Sequence, residues 1–137
     1  MADMTQIWER LFLGSRDDAE DLFVANPHGI TTVISLCEVR VVHRRQGLNY
    51  IHIAVDDDSP IEVGQFDAVM DAIAENVRWG TVLLHCAGGT SRAPILMAAW
   101  MHLVGYRNVD AALAEIKKLR PIVDSSSVLL DSVKEHL

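Results

Sequence analysis

The sequence predicts a single α/β domain, with a central, mainly parallel sheet of four to five strands flanked by helices. Three observations predict it. Apolar, β-branched runs alternate with segments of helical periodicity, the order that builds a parallel sheet covered on both faces. Half of the 137 residues are hydrophobic, enough for a packed core. No internal repeat, low-complexity tract or linker interrupts the chain, so residues 1–137 read as one domain.

Residues 7–13 mix β-formers with charges and stop at Gly14, which predicts an early strand or hairpin. Ser15 is placed to cap a short helix over 17–25, with acidic residues in its first turn. The stretch Asn26-Pro27-His28-Gly29 ends it. Residues 30–36 form a continuous β-branched run that predicts a buried strand, and 50–55 predict another. Between them, 39–46 are basic and read as a loop or short helix. Asp56-Asp57-Asp58-Ser59-Pro60 is a turn cluster.

Phe66, Val69, Met70, Ile73 and Val77 fall at helical spacing within 61–79, and Gly80 supplies a stop. Residues 81–84 predict a short buried strand. Helices follow over 93–104 and 109–119, separated by Gly105. Met97, Trp100 and Met101 are expected in the core. Arg120-Pro121 breaks the chain, and Asp124 or Ser125 is placed to cap a last helix carrying Val128, Leu129, Val133 and Leu137.

Composition narrows the function classes. Twelve Lys/Arg against nineteen Asp/Glu leave a formal charge of -7, which disfavours general nucleic-acid or anionic-membrane binding. The apolar stretch 93–104 is too short to span a bilayer, and the N-terminus lacks the pattern of a signal peptide. Only two cysteines occur, Cys37 and Cys86, which points to a reducing, cytoplasmic setting rather than a disulfide scaffold. The histidines show no paired ligand spacing and no CxxC occurs, so neither a metal nor another cofactor is expected.

The chemistry concentrates in His85-Cys86-Ala87-Gly88-Gly89-Thr90-Ser91-Arg92, which joins the apolar strand to a helix. Open α/β sheets bind ligands at the carboxyl ends of their strands, where this loop sits. Five residues separate the Cys86 sulfur from the Arg92 guanidinium. A loop curled around an oxyanion turns its N–H groups inward, so Ala87, Gly88, Gly89, Thr90 and Ser91 are candidate phosphate-binding residues. Gly88 and Gly89 are expected to supply the backbone freedom for that curl. The helix beginning near Arg92 directs its positive end at the same centre, and the arginine fork holds two phosphate oxygens. Such surroundings stabilise negative charge on sulfur. An isolated cysteine at a strand end is ordinarily structural. Strand, glycines, arginine and helix in this order argue for a nucleophile.

These residues resemble the cysteine-dependent protein tyrosine phosphatase superfamily, whose signature is His-Cys, five residues, then Arg. The sequence is more closely similar to the small dual-specificity phosphatases, over most of residues 7–137. Leu13-Gly14-Ser15, Gly29-Ile30-Thr31 and Ser91-Arg92-Ala93-Pro94 also match. The resemblance implies a phosphatase acting on phosphorylated proteins, at phosphotyrosine and also phosphoserine or phosphothreonine, through a phosphocysteine on Cys86. It implies Arg92 as the phosphate-binding arginine and a general acid after the strand that precedes the long helix. The matching register points to Asp57, with Asp58 as second choice. His85 is implied to orient the loop rather than act as a base.

One departure concerns turnover. The family carries Ser or Thr after the arginine, where its hydroxyl helps sulfur leave; here the residue is Ala93. Slow breakdown of the phosphoenzyme is expected unless Thr90, Ser91 or water compensates. Cys37 matches a position where some relatives carry a cysteine that forms a reversible disulfide with the nucleophile; an ordinary buried cysteine is the alternative. Arg40, His43, Arg44 and Arg45 form a local basic cluster, read either as a solvated loop or as an attractor of phosphorylated substrate. The competing functions are a rhodanese-like sulfurtransferase, which needs no acid, and a phospho-binding module with slow turnover. Oligomeric state is open.

Overall fold

The structure, a computed structural model, describes residues 4–137. A hairpin of β1 (Thr5–Trp8) and β2 (Leu11–Gly14) leads into α1 (Arg16–Asp21). Then come β3 (Thr32–Ser35), β4 (Asn49–His52), α2 (Val63–Val77) and β5 (Val82–His85), followed by α3 (Arg92–Leu103), α4 (Val109–Leu119) and α5 (Ser127–Glu135). The five strands form one sheet in the order β1-β2-β5-β3-β4, parallel except for the β1–β2 hairpin. This is the predicted architecture, and its most buried strand, β5, carries the cysteine loop.

Side-chain alternation explains why both sheet faces are covered. Leu11 and Leu13 of β2, Ile34 of β3 and Val82 and Leu84 of β5 enter one core with α2, α3, α4 and α5. Their intervening neighbours Phe12, Val33 and Leu83 enter a smaller core with Ala19 and Leu22 of the α1 segment. Leu11, Leu13, Leu83 and Leu84 are each fully buried, and each such side chain contributes about 1.5–3 kcal/mol of transfer free energy. Helix α3 lies in the middle of the larger core, so every residue from Arg92 to Met101 is buried, Met97, Trp100 and Met101 among them.

Two local expectations change, the end of α1 and the cap of α5, and one open alternative closes. Helix α1 stops at Asp21 rather than Ala25. The Ser15–Asp18 capping box fixes its start, and Asn26 then uses both its amide groups on the Ile30 backbone. Residues 39–46 contain no helix and form a loop. The cap of α5 is Ser126, not Asp124 or Ser125. The Ser126 hydroxyl accepts from the Leu129 N–H, and the chain before it is tied back to the cysteine loop by the Asp124 N–H on the Thr90 carbonyl at 2.7 Å and the Ser126 N–H on Ser91 Oγ at 3.1 Å. Among the described residues, no helix is long and apolar enough to cross a membrane.

Candidate active site

The loop between β5 and α3 is held from outside by its carbonyls. The Cys86 carbonyl accepts from His85 Nδ1 at 3.0 Å, and that of Ala87 from the Arg16 N–H at 2.9 Å. The Gly89 carbonyl accepts from Arg120 Nε at 3.0 Å, and that of Thr90 from the Asp124 N–H at 2.7 Å. In a trans peptide the C=O and the following N–H point in opposite directions. Four outward carbonyls therefore turn the N–H groups of Ala87, Gly88, Thr90 and Ser91 toward the inside of the curl. Among the described residues, these four N–H groups donate to no protein acceptor. The result is a nest of donors in front of the α3 N-terminus.

The two glycines have different roles. Gly89 sits at φ +69°, and a Cβ there would lie 2.6 Å from Arg120 Nη2 and 2.7 Å from the Gly14 carbonyl oxygen. Only glycine fits that contact. Gly88 lies outside the left-handed region, and its added Cβ would meet only Thr90, at 3.6 Å, so the expectation that the curl needs both glycines is corrected.

His85 ties the loop to the sheet. Its Nδ1–H donates to a carbonyl, so Nε2 is the acceptor for the Ser35 hydroxyl at 2.6 Å. Burial holds the imidazole below its ordinary value, which keeps it neutral and preserves this tautomer. His85 thus orients rather than titrates. The Cys86 side chain is 2% exposed and turns to the α3 side of the sheet.

Arg92 opens α3 and is almost fully buried. Its Nη1 donates to Glu38 Oε1 at 2.7 Å and to the Val55 carbonyl at 3.1 Å. One guanidinium therefore joins the cysteine loop to the segments after β3 and β4. The Glu38 backbone N–H and the Arg92 charge hold the Glu38 carboxyl below its usual range. Glu38 itself remains largely exposed, so this pair fixes geometry more than it adds stability.

Val55 leads directly into the aspartate cluster, so Arg92 brings that cluster to the loop. Asp56 and Asp58 are exposed, whereas Asp57 is half-buried and its Oδ1 is enclosed without a hydrogen-bond partner. Cys37 lies beyond the adjacent β3 and donates its thiol to the Val39 carbonyl at 3.3 Å. Burial pushes this thiol up, against the opposing pull of the Arg92 charge. Both cysteines are free.

Three of the four residues of the basic cluster are engaged by the fold. Arg44 stacks on the Tyr50 ring at 5.0 Å, Arg45 Nη1 donates to the Leu22 carbonyl at 2.9 Å, and His43 meets Glu20 at 3.0 Å. The loop reading is the one its contacts favour.

Sequence reasoning missed two residues that organise the site. Glu38 follows Cys37 with no motif of its own, and Arg120 reads as a helix-ending residue before proline. Arg120 is 6% exposed, and besides Gly89 it reaches Thr5 Oγ1 at 3.0 Å. No signal in the sequence singles out Arg120, which follows Lys117 and Lys118 at a basic helix end.

A family model described as the catalytic domain of dual specificity phosphatases matches residues 11–136. The chain belongs to the dual specificity phosphatase family. It is 29% identical over 130 residues to dual specificity protein phosphatase 18 of Rattus norvegicus, covering 93% of this chain and 63% of that protein. It is 26% identical over 132 residues to dual specificity protein phosphatase 26 of Homo sapiens, covering 90% and 63% respectively. The chain therefore spans just under two thirds of the length of these relatives. Among solved structures it is similar to DUSP15, with TM-score 0.86 and 27% identity over 96% of this chain and 85% of that one. A mouse putative dual specificity phosphatase complexed with zinc tungstate has the same fold, with TM-score 0.84 and 22% identity over 97% and 85% of the two chains.

Proposed function

We propose that this domain hydrolyses phosphomonoesters on proteins, at phosphotyrosine and at phosphoserine or phosphothreonine, through a phosphocysteine. The reading is carried by the loop that turns its N–H groups inward between Cys86 and the buried Arg92. The Cys86 thiolate attacks phosphorus, forming the P–S bond as the P–O bond breaks. Asp57 gives its proton to the leaving oxygen. The N–H groups of the loop and the Arg92 fork hold the equatorial oxygens, stabilising charge where it accumulates. Asp57, now ionised, takes a proton from the water that attacks phosphorus and releases Cys86 sulfur.

Asp57 is preferred to Asp58 because its carboxyl is the enclosed one of the cluster. A carboxyl oxygen with no protein partner, in the segment that Arg92 ties to the loop through the Val55 carbonyl, is available to the leaving group. The two free thiols suit a reducing, cytoplasmic setting. A sulfurtransferase reading leaves Asp57 and the Glu38–Arg92–Val55 bridge without a task. The mouse relative of the same fold is complexed with zinc tungstate, and tungstate is a tetrahedral oxyanion, the shape this loop suits.

The test is rapid quench of the enzyme with a phosphotyrosine peptide, followed by mass spectrometry of the Cys86 peptide. A phosphoryl adduct on Cys86 that is absent from Cys86→Ser supports the route. Peptide hydrolysis by Cys86→Ser at the wild-type rate sinks it.

A second reading, a phosphatase limited by its second step, rests on Ala93. This residue is fully buried at the start of α3, where the family places a hydroxyl. The neighbouring Ser91 Oγ is engaged by the Ser126 N–H at 3.1 Å, so it is held toward α5. A product burst followed by slow turnover is expected, with Ala93→Ser raising the steady rate and shrinking the burst. Equal steady rates for the two enzymes refute this step.

A further inference from the structure

Strand β4 is an edge of the sheet: among the described residues it pairs with β3 on one side and with no strand on the other. Asn49 and Ile53 turn their N–H groups inward, to the carbonyls of Thr31 and Ser35 at 2.9 Å each. Alternate residues of a strand point opposite ways, so Tyr50 and His52 present N–H and C=O to the outside. An open edge of this kind is a template for another extended chain.

A groove of about 520 Å³ runs along this edge, between β4 and α2. Ile51, Ile53, Ala68 and Ala72 form its apolar floor, and Asp71 and Glu75 stand on its α2 rim. Both acids are exposed. The ion pairs among the described residues involve other groups. Asn49 Nδ2 donates to Asn76 Oδ1 at 3.4 Å at one end, and Gln65 Nε2 to the Ala54 carbonyl at 2.9 Å at the other. These bridges hold strand and helix at a fixed separation, so the groove is pre-formed and a ligand need not open it.

We propose that this groove docks an extended, basic segment of a partner protein. The segment adds to the sheet beside β4, hydrogen-bonds to the outward groups of Tyr50 and His52, and turns every second side chain toward α2, where the aliphatic stems of its basic residues lie on Ile51 and Ile53. Its Lys or Arg side chains meet Asp71 and Glu75. Main-chain bonds at the edge supply affinity, and the acidic rim supplies selectivity. Arg78, at one end of the groove, disfavours a further basic residue there. The site lies apart from the cysteine loop and does not depend on its chemistry. It would bring a protein partner to the domain independently of a phosphate in the loop.

The probe is a short, end-blocked, fluorescein-labelled peptide alternating arginine and valine, followed by fluorescence anisotropy. Wild type is expected to bind it and to ignore the same peptide with glutamate for arginine. Asp71→Lys with Glu75→Lys should weaken binding about tenfold. Asp131→Lys with Glu135→Lys, the same charge change on exposed positions of α5, should stay within about twofold of wild type. In the saturated complex, hydrogen exchange at the Tyr50 and His52 amides should slow. The proposal is overturned if wild type does not bind the arginine peptide, if the α5 variant loses as much affinity as the groove variant, or if the two amides stay unprotected. It is also overturned if the chain alone sediments as a dimer with those amides already protected, since the occupant would then be a second copy. Thermal melts of both double variants, matched to wild type, show that a loss is not unfolding.

Discussion

Replacing Arg120 by methionine tests whether the cysteine loop is held from behind by the segment after α4. Methionine keeps the apolar stem and removes the guanidinium. At least two bonds go: Nε to the Gly89 carbonyl and Nη1 to Thr5 Oγ1, each 3.0 Å. Hydrogen bonds to a charged group contribute about 1.5–3 kcal/mol each, and the loss leaves the buried Gly89 carbonyl without its donor. The expected destabilisation is about 3 kcal/mol at the low end of that range. Unfolding entropy near the midpoint is about 2.1 cal/mol/K per residue, so 137 residues give a Tm drop of about 10 °C. The Gly89–Thr90 peptide, freed of its anchor, no longer aims the Thr90 N–H into the nest. Losing one such donor reduces turnover by about 10²–10³, so kcat/KM for p-nitrophenyl phosphate should fall at least tenfold. The assays are a thermal melt and steady-state hydrolysis well below the lowered Tm. A variant that melts early yet keeps kcat/KM within about twofold of wild type refutes the positioning role. One that melts with wild type refutes the energetic account.

Other expectations follow from the same geometry. Asp57→Asn should lower kcat on alkyl phosphates by about 10²–10⁴, with less effect on p-nitrophenyl phosphate, whose leaving group needs little protonation; Asp58→Asn, on an exposed carboxyl, should stay near wild type, and the reverse order would transfer the assignment. Gly89→Ala should inactivate the loop, because its Cβ would lie 2.7 Å from the backbone oxygen of Gly14 in β2, whereas Gly88→Ala should be tolerated; equal activities would discount the close approach. The neutral His85 gives a pH slope. Its folded value lies below 6.5, so the unfolded chain binds more protons as pH falls below about 6.5, and stability is lost in that direction. Urea midpoints between pH 7.5 and 5.5 should fall for wild type and fall less steeply for His85→Gln; identical slopes would show that another group carries the effect.

How much of this was legible follows from range. The helix over 109–119 and the apolar stripe of 66–77 are set by local periodicity, and both appear where the pattern puts them. The Ser15 cap was legible because a capping box closes within four residues. The start of α5 was not, because the segment that leads into it is positioned by bonds from Asp124 to Thr90 and from Ser126 to Ser91, far back in the chain. Asp57 was separable from its neighbours in sequence only by resemblance; burial of one oxygen separates it physically.

By itself the sequence determined the α/β order and the loop of Cys86 and Arg92, because a strand-end cysteine, glycine and helix-opening arginine act within one turn of chain. Tertiary structure decided what holds that loop in its working shape. Arg120 is 31 residues from Gly89, and Glu38 is 54 residues from Arg92. Such contacts carry no periodicity and no short spacing. They arise only when β3 packs beside β5 and the chain after α4 returns beneath the loop, so the fold, not the motif, aims its donors.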